Sequence, residues 1–184
     1  MTSTTFSQSL EVPSGVQATL NKGVVTIKGP KGEVSKAMNN PHVEIKIEGT
    51  TLRFLNKRNK TTRREKKQIY AYLAHANNMV KGVQQPYVYK VKVCAGHFPI
   101  NVALSGKSFS VKNFLGEKVP RIITLKDNVK VEIAGEIITI TSCDVERAGQ
   151  TAADLEQLTR VTNRDLRIFQ DGLYIIEKCG EKVA

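Results

Sequence analysis

The sequence predicts an α+β fold of two tandem duplicated small domains, each a mostly antiparallel sheet packed on one helix. Two observations support this prediction. The chain repeats a pair of strand patterns in the same order, and a helical pattern follows each copy. A length of 184 residues also suits two small domains of about 90 residues each.

The repeated strand patterns lie at nearly constant spacing. VTIKGPKGEV at 25–34 and FSVKNFLGEK at 109–118 share an apolar-x-apolar-Lys start and a Gly-Glu pair, with an offset of 84 residues. VEIKIEGTTLRF at 43–54 and VKVEIAGEIITI at 129–140 match with an offset of 86 residues. In both copies of this second pattern, alternating apolar residues surround a glycine-containing turn, which predicts a β-hairpin. Two matches in the same order indicate a duplication.

A helical pattern follows each hairpin. In the first half, Thr62-x-x-Glu65 predicts a capping box and Gly82 predicts the helix end. The apolar residues with helical spacing are Ile69, Leu73, Ala76 and Val80. In the second half, Thr151 is the predicted N-cap of a second helix. Its shorter apolar stripe consists of Ala152, Leu155 and Leu158. KGVQQP at 81–86 interrupts the periodicity, so we predict domains at 1–82 and 83–184.

Composition favours a soluble cytoplasmic protein. No apolar stretch approaches the roughly 18 residues of a membrane helix, so no membrane partner is expected. The start MTSTTFSQSL has neither the basic nor the apolar region of a secretory signal. Three widely separated cysteines argue against a disulfide framework and against a C-x-x-C metal or redox site. A reduced intracellular protein is predicted.

Catalytic motifs are missing from the sequence. SGKS at 105–108 lacks the preceding glycine of a phosphate-binding loop, since Asn101 occupies that position. GPKG at 29–32 predicts a hairpin turn rather than a nucleotide loop. The three histidines have no metal-ligand spacing, and His97 is expected to form a local hydrogen bond. We therefore predict no enzymatic activity, no metal site and no cofactor.

The net charge of +11 predicts a polyanionic partner, with nucleic acid as the leading candidate. Residues 1–82 hold 14 Lys and Arg against 5 Asp and Glu, whereas residues 83–184 hold 14 against 12. The densest basic cluster is KRNKTTRREKK at 57–67. Its candidate phosphate contacts are Lys57, Arg58, Lys60, Arg63 and Arg64. The alternative is a solvated face that binds nothing. The cluster has no aromatic residue, so shape and backbone recognition of folded RNA is favoured over base reading.

The stretch VTNRDLRIFQDGLYIIEK at 161–178 combines basic residues with a strand pattern. Asp171-Gly172 predicts a tight turn, and the apolar run at 173–175 predicts a strand of the second sheet. Phe169 is predicted to anchor the segment in the second core, with stacking on a base as the alternative. The arginines can bind phosphate oxygens with two hydrogen bonds and can stack on exposed bases.

Several motifs of the second half together resemble one ribosomal family. The matching positions of the C-terminal stretch are Gln157, Val161, Arg164, Arg167, Phe169, Asp171, Gly172, Leu173, Tyr174, Ile175 and Lys178. GHFPINV at 96–102, VKNFLGEK at 111–118 and AGQTAADLEQ at 148–157 also fit. Over essentially its whole length, the chain resembles the family of the sixth protein of the large ribosomal subunit, in its archaeal and eukaryotic branch.

The resemblance implies a structural component of the large ribosomal subunit, located in the cytoplasm on the ribosome. It implies binding to large-subunit rRNA near its 3′ end, close to the sarcin-ricin loop and the translation-factor site. The implied partners are this rRNA and neighbouring ribosomal proteins, with translation factors nearby. The main RNA contacts are expected after the helix of the second domain. The corresponding residues here are Arg160, Arg164, Arg167 and Lys178.

This expectation contrasts with the charge count, which favours the first half. We favour the second-domain segment because specific docking depends on where charges are held, whereas excess charge alone supplies a non-specific attraction. The alternative is a free-standing basic RNA-binding chaperone or chromatin-type protein that uses the 57–67 cluster.

Overall fold

The computed structural model describes residues 6–57 and 61–183, and the chain divides into two compact units between Pro86 and Tyr87. The predicted domain boundary after Gly82 falls inside the last turn of the first helix. Within the described residues, neither helix is both long enough and apolar enough to cross a membrane.

The first unit contains two antiparallel three-stranded sheets and one helix. Its elements are β1 (Ser7–Glu11), β2 (Gln17–Asn21), β3 (Val24–Gly29), β4 (Gly32–Ala37), β5 (Val43–Glu48), β6 (Thr51–Asn56) and α1 (Arg63–Gln84). The strand orders are β1-β6-β5 and β2-β3-β4. Gly29 pairs with Gly32 across the β3–β4 hairpin, which confirms the predicted GPKG turn.

Helix α1 begins as predicted and ends two residues later than predicted. The Thr62 backbone N–H donates to Glu65 Oε2 at 2.7 Å, as expected of a capping box. The helix continues past Gly82 to Gln84, and the Gln85 N–H still donates to the Lys81 carbonyl at 2.8 Å. Val83 is fully buried, so its packing outweighs the poor helix propensity of the glycine before it. The predicted helix end at Gly82 is therefore wrong.

The second unit repeats this plan and extends it. Its elements are β7 (Tyr87–Cys94), β8 (Asn101–Ser105), β9 (Ser108–Lys112), a 3-10 turn (Phe114–Gly116), β10 (Arg121–Thr124), β11 (Lys130–Ala134), β12 (Ile137–Ser142), α2 (Val145–Leu158), β13 (Gly172–Lys178) and β14 (Glu181–Lys182). The strand orders are β10-β9-β8 and β11-β12-β7-β13-β14, with all pairings antiparallel.

The two units share a pairing scheme that confirms the tandem α+β architecture. β1 pairs with β6 and β6 with β5, just as β7 pairs with β12 and β12 with β11. The second unit adds β13, which pairs along the free edge of β7 and confirms the strand predicted at 173–175. The loop between α2 and β13 therefore has no counterpart in the described part of the first unit.

The N-cap of helix α2 lies seven residues before the predicted one. Asp144 is the N-cap, and its carboxylate accepts a hydrogen bond from the Glu146 N–H at 2.9 Å. Thr151 instead lies buried in mid-helix and donates to the Arg147 carbonyl at 2.8 Å. The first two turns pack through small residues: a Cβ added to Gly149 would lie 3.1 Å from the Tyr89 hydroxyl oxygen. No large apolar residue therefore marks the start of the helix in the sequence.

Candidate RNA-binding surface of the second unit

The loop between Leu158 and Gly172, here called the α2–β13 loop, carries three of the four predicted RNA contacts. Residues 162–168 are all exposed. The backbone N–H groups of Ile168 and Phe169 both donate to the Asp165 carbonyl, at 3.1 and 2.9 Å. The hydrogen-bonded turn therefore lies at 165–169 and not at Asp171-Gly172, so the predicted Asp-Gly turn is wrong. Gly172 is instead the first residue of β13.

Arg167 is held by a carboxylate within this turn. Asp165 accepts hydrogen bonds from the Arg167 backbone N–H at 2.9 Å, from Nε at 3.1 Å and from Nη2 at 2.9 Å. These bonds lower the pKa of Asp165 and raise the pKa of Arg167. The Arg167 side chain is 90% exposed, so its remaining N–H donors face solvent. The turn thus presents a guanidinium group of fixed direction.

Arg164 is held by an aromatic ring instead. Its guanidinium carbon lies 4.9 Å from the centroid of the Phe169 ring, a cation–π distance. Among the described residues, no acidic side chain forms an ion pair with Arg164, and the residue is exposed. Phe169 is half-buried against the core of the second unit, which agrees with its predicted role as an anchor.

A buried carboxylate fixes the end of the loop. Asp171 is 1% exposed, and its Oδ1 accepts hydrogen bonds from the backbone N–H groups of Gly96 at 2.5 Å and His97 at 2.9 Å. Its Oδ2 lies 2.6 Å from His97 Nδ1. Burial by itself would raise the pKa of Asp171, but the hydrogen bonds from His97 and Gly96 outweigh it and lower the pKa. The 95–100 loop after β7 is therefore tied to the α2–β13 loop.

The predicted local hydrogen bond of His97 is wrong, because its partner is 74 residues away. No sequence pattern places Asp171 beside His97. The pairing of β7 with β13 does so, since Gly172 lies opposite Cys94 in the sheet. The His97 ring also lies 4.8 Å from the Phe169 ring, with an interplanar angle of 30°.

Arg121 anchors the other end of the loop and was not among the predicted residues. Its Nη1 donates to the carbonyl of Leu158 at 2.8 Å and lies 3.5 Å from that of Arg160. Its Nε and Nη2 bind both carboxylate oxygens of Glu117, at 2.8 and 2.5 Å, and these bonds lower the pKa of Glu117. The guanidinium also lies over the Phe114 ring at 4.3 Å. Arg121 is the first residue of β10, and no motif in the sequence marks it for this role.

Lys178 lies on a different element from the three arginines. Arg160, Arg164 and Arg167 lie on the α2–β13 loop, whereas Lys178 is the last residue of β13, six residues beyond Gly172. Six residues of extended strand span about 20 Å. All four side chains are exposed.

The 57–67 cluster lies on the first unit and is described only in part. Lys57, Arg63 and Arg64 are exposed, with the two arginines in the first turn of α1. Arg58 and Lys60 lie outside the described residues. Glu65 is buried at the same helix end, where it serves the capping box. Among the residues that the structure describes, no group of three His, Cys, Asp or Glu side chains is placed to hold a metal ion.

Comparison with known proteins identifies the duplicated fold. The sequence profile of the family described as Ribosomal protein L6 matches this chain twice, at residues 12–86 and 98–172. The chain therefore belongs to the Ribosomal protein L6 family. The two matches fall one in each unit and confirm the duplication.

Archaeal proteins named large ribosomal subunit protein uL6 are similar over nearly the whole chain. That of Methanospirillum hungatei is 37% identical over 178 residues, which cover 95% of this chain and 98% of the relative. That of Methanothrix thermoacetophila is 38% identical over 92% of this chain and 95% of the relative. That of Haloarcula marismortui is 37% identical over 92% of this chain and 94% of the relative. The resemblance seen in the sequence motifs is confirmed.

Proposed function

We propose that this protein is a non-catalytic structural component of the large ribosomal subunit. It binds large-subunit rRNA near the sarcin-ricin loop and the translation-factor site. It also contacts neighbouring proteins of the large subunit. Family membership supports the ribosomal role, and a sequence without catalytic motifs supports the absence of an enzymatic one.

The observation that carries the proposal is the fixed presentation of Arg164 and Arg167 on the α2–β13 loop. Phe169 holds the first guanidinium and Asp165 holds the second, while Arg121 and Asp171 anchor the two ends of the loop. Side chains held in this way lose little conformational entropy when they meet RNA. A fixed array of this kind favours one docked arrangement over diffuse attraction.

The direct test measures binding to an RNA that contains the sarcin-ricin loop and its flanking helices, over a series of salt concentrations. Arg164→Ala and Arg167→Ala should each weaken binding and reduce the salt slope, by about one for each phosphate that the side chain no longer neutralises. Arg53→Ala is the matched control, because Arg53 is an exposed arginine of β6 that pairs with Glu48 at 3.0 Å. Wild-type slopes for both loop variants would contradict the proposal.

The alternative function makes the opposite prediction in the same assay. If a free-standing basic RNA-binding protein used the 57–67 cluster, a combined alanine variant of its five candidate contacts should abolish binding, while Arg164→Ala and Arg167→Ala should change little. Those five are Lys57, Arg58, Lys60, Arg63 and Arg64. Co-sedimentation with large subunits through a moderate salt wash separates the two cellular roles. Hydroxyl-radical footprinting on those subunits then tests whether the sarcin-ricin region is protected.

A further inference from the structure

Four side chains of the second unit form a continuous column from the buried interior to the surface. In order, they are Asp171, His97, Phe169 and Arg164. The column begins at a carboxylate that is 1% exposed and ends at an exposed guanidinium group. Each neighbouring pair is in direct contact, so the position of the last member depends on the members beneath it.

The inner half of the column is fixed by hydrogen bonds. Asp171 Oδ2 lies 2.6 Å from His97 Nδ1, and Oδ1 accepts the His97 backbone N–H at 2.9 Å. Because the same carboxylate contacts both the backbone and the ring of His97, the imidazole has one preferred orientation. Its face then supports the Phe169 ring at a centroid distance of 4.8 Å.

The outer half of the column supports Arg164 without consuming its hydrogen-bond donors. Arg167, three residues away, uses Nε and Nη2 on Asp165, whereas Arg164 rests on Phe169 at 4.9 Å. A guanidinium group is planar and stacks with either face. The guanidinium carbon of Arg164 lies over the Phe169 ring, and the residue as a whole is exposed.

We propose that the outer face of Arg164 is a stacking site for one unpaired nucleobase of the rRNA. The base would continue the column, with the guanidinium between it and Phe169. This inference rests on the proposed rRNA-binding function and adds a mode of recognition to it. Folded RNA is recognised largely at loops and bulges whose unstacked bases lie against aromatic rings or arginine planes. The sequence left stacking open for Phe169 and for each arginine. Because Phe169 is half-buried beneath Arg164, the free stacking face is that of Arg164.

The first variant is Arg164→Lys, which keeps the charge and removes the plane. If Arg164 acted only as a positive charge near a phosphate, the lysine variant would bind with wild-type affinity. A two-hydrogen-bond contact with a phosphate would also be weakened by lysine, so coupling to a missing base, tested below, is the result that identifies stacking. If Arg164 stacks on a base, Arg164→Lys should weaken binding about 5- to 100-fold with an unchanged salt slope, the range expected for one base–side-chain stack. The matched control is Arg167→Lys, which changes the same residue type three positions away without an aromatic support.

The probe is the sarcin-ricin RNA described above, prepared as a set in which single unpaired nucleotides are made abasic. For the wild-type protein, removal of the base at one position should weaken RNA binding about 5- to 100-fold. Removal of the same base should not weaken RNA binding by Arg164→Lys any further. Phe169→Leu, which keeps an apolar anchor but removes the ring, should show the same loss of coupling. Circular dichroism checks that both variants remain folded.

The outcomes separate this inference from the function on which it rests. If Arg164→Ala and Arg167→Ala reduce the salt slope but no abasic position is coupled to Arg164→Lys, the stacking site is refuted and rRNA binding stands, whatever the affinity of the lysine variant. If the wild-type protein does not bind the RNA, the proposed function is refuted and the stacking site with it.

Discussion

Asp171 and His97 are 74 residues apart in the chain and form two hydrogen bonds, from the His97 backbone N–H at 2.9 Å and between Nδ1 and Oδ2 at 2.6 Å. This contact joins the loop after β7 to the end of the α2–β13 loop. The carboxylate is almost fully buried, so its loss should be felt in both the stability and the RNA binding of the second unit.

Asp171→Ala should lower the free energy of unfolding by about 1–3 kcal/mol, because the backbone N–H groups of Gly96 and His97 would lose their hydrogen bonds to a charged, buried carboxylate. Urea denaturation followed by circular dichroism measures the change. Asp127→Ala is a suitable control, since the Asp127 side chain is 70% exposed and solvent screens its ion pair with Lys107, which should therefore add little to stability. Equal effects of the two variants would argue against a special role for Asp171.

The same carboxylate should make stability depend on pH. The folded-state pKa of Asp171 lies below its ordinary value of 3.8, so its contribution is present above about pH 3.8 and is lost as the pH falls through the lowered pKa. Urea midpoints should therefore fall less steeply with acid in Asp171→Asn than in the wild type. Parallel pH profiles for the two proteins would contradict this prediction.

Arg121 should act as a positioning residue for the α2–β13 loop. Arg121→Lys keeps the charge but cannot bind Glu117 and the Leu158 carbonyl together, so amide hydrogen exchange should rise at 159–161. RNA affinity should fall about 2- to 10-fold with an unchanged salt slope, as expected when one or two hydrogen bonds are removed.

Arg147→Lys provides the comparison for Arg121→Lys. Arg147 also pairs with a carboxylate in the second unit, at 3.3 Å from Asp144, but it makes no described contact with the α2–β13 loop. Arg147→Lys should therefore leave amide hydrogen exchange at 159–161 unchanged. Wild-type exchange in Arg121→Lys would show that the loop is held by other contacts.

Gly29→Ala should destabilise the first unit. An added Cβ would lie 2.7 Å from Val83 Cγ2 and 3.0 Å from the Val83 carbonyl oxygen, so the end of α1 would have to move away from the β3–β4 hairpin. We expect a loss of about 1–3 kcal/mol, measured by urea denaturation. Gly96→Ala is the steric control, because its Cβ would meet Asp171 at an ordinary 3.7 Å. A wild-type midpoint for Gly29→Ala would show that α1 adjusts freely.

Local patterns predicted the elements best where one face is buried and large apolar residues mark it. The alternating residues of β5 and β6 predicted a hairpin, and the structure pairs those strands from Val43 to Asn56. The start of α1 was predicted because its capping box lies within four consecutive residues. The start of α2 was missed because Ala148 and Gly149 pack through their small size, which leaves no periodic signal.

Residue patterns alone were enough to predict the duplication, the two helices and the strand at 173–175. The helices and this strand depend on residue types at short spacing, which local sterics and burial control. The family was predicted by the resemblance of the motifs to those of a known family. What holds the predicted arginines became visible only in the folded chain. Asp171 meets His97, and Arg121 reaches the end of α2, because antiparallel pairing and packing bring distant segments together. Such contacts have no fixed spacing along the chain, so no local pattern records them.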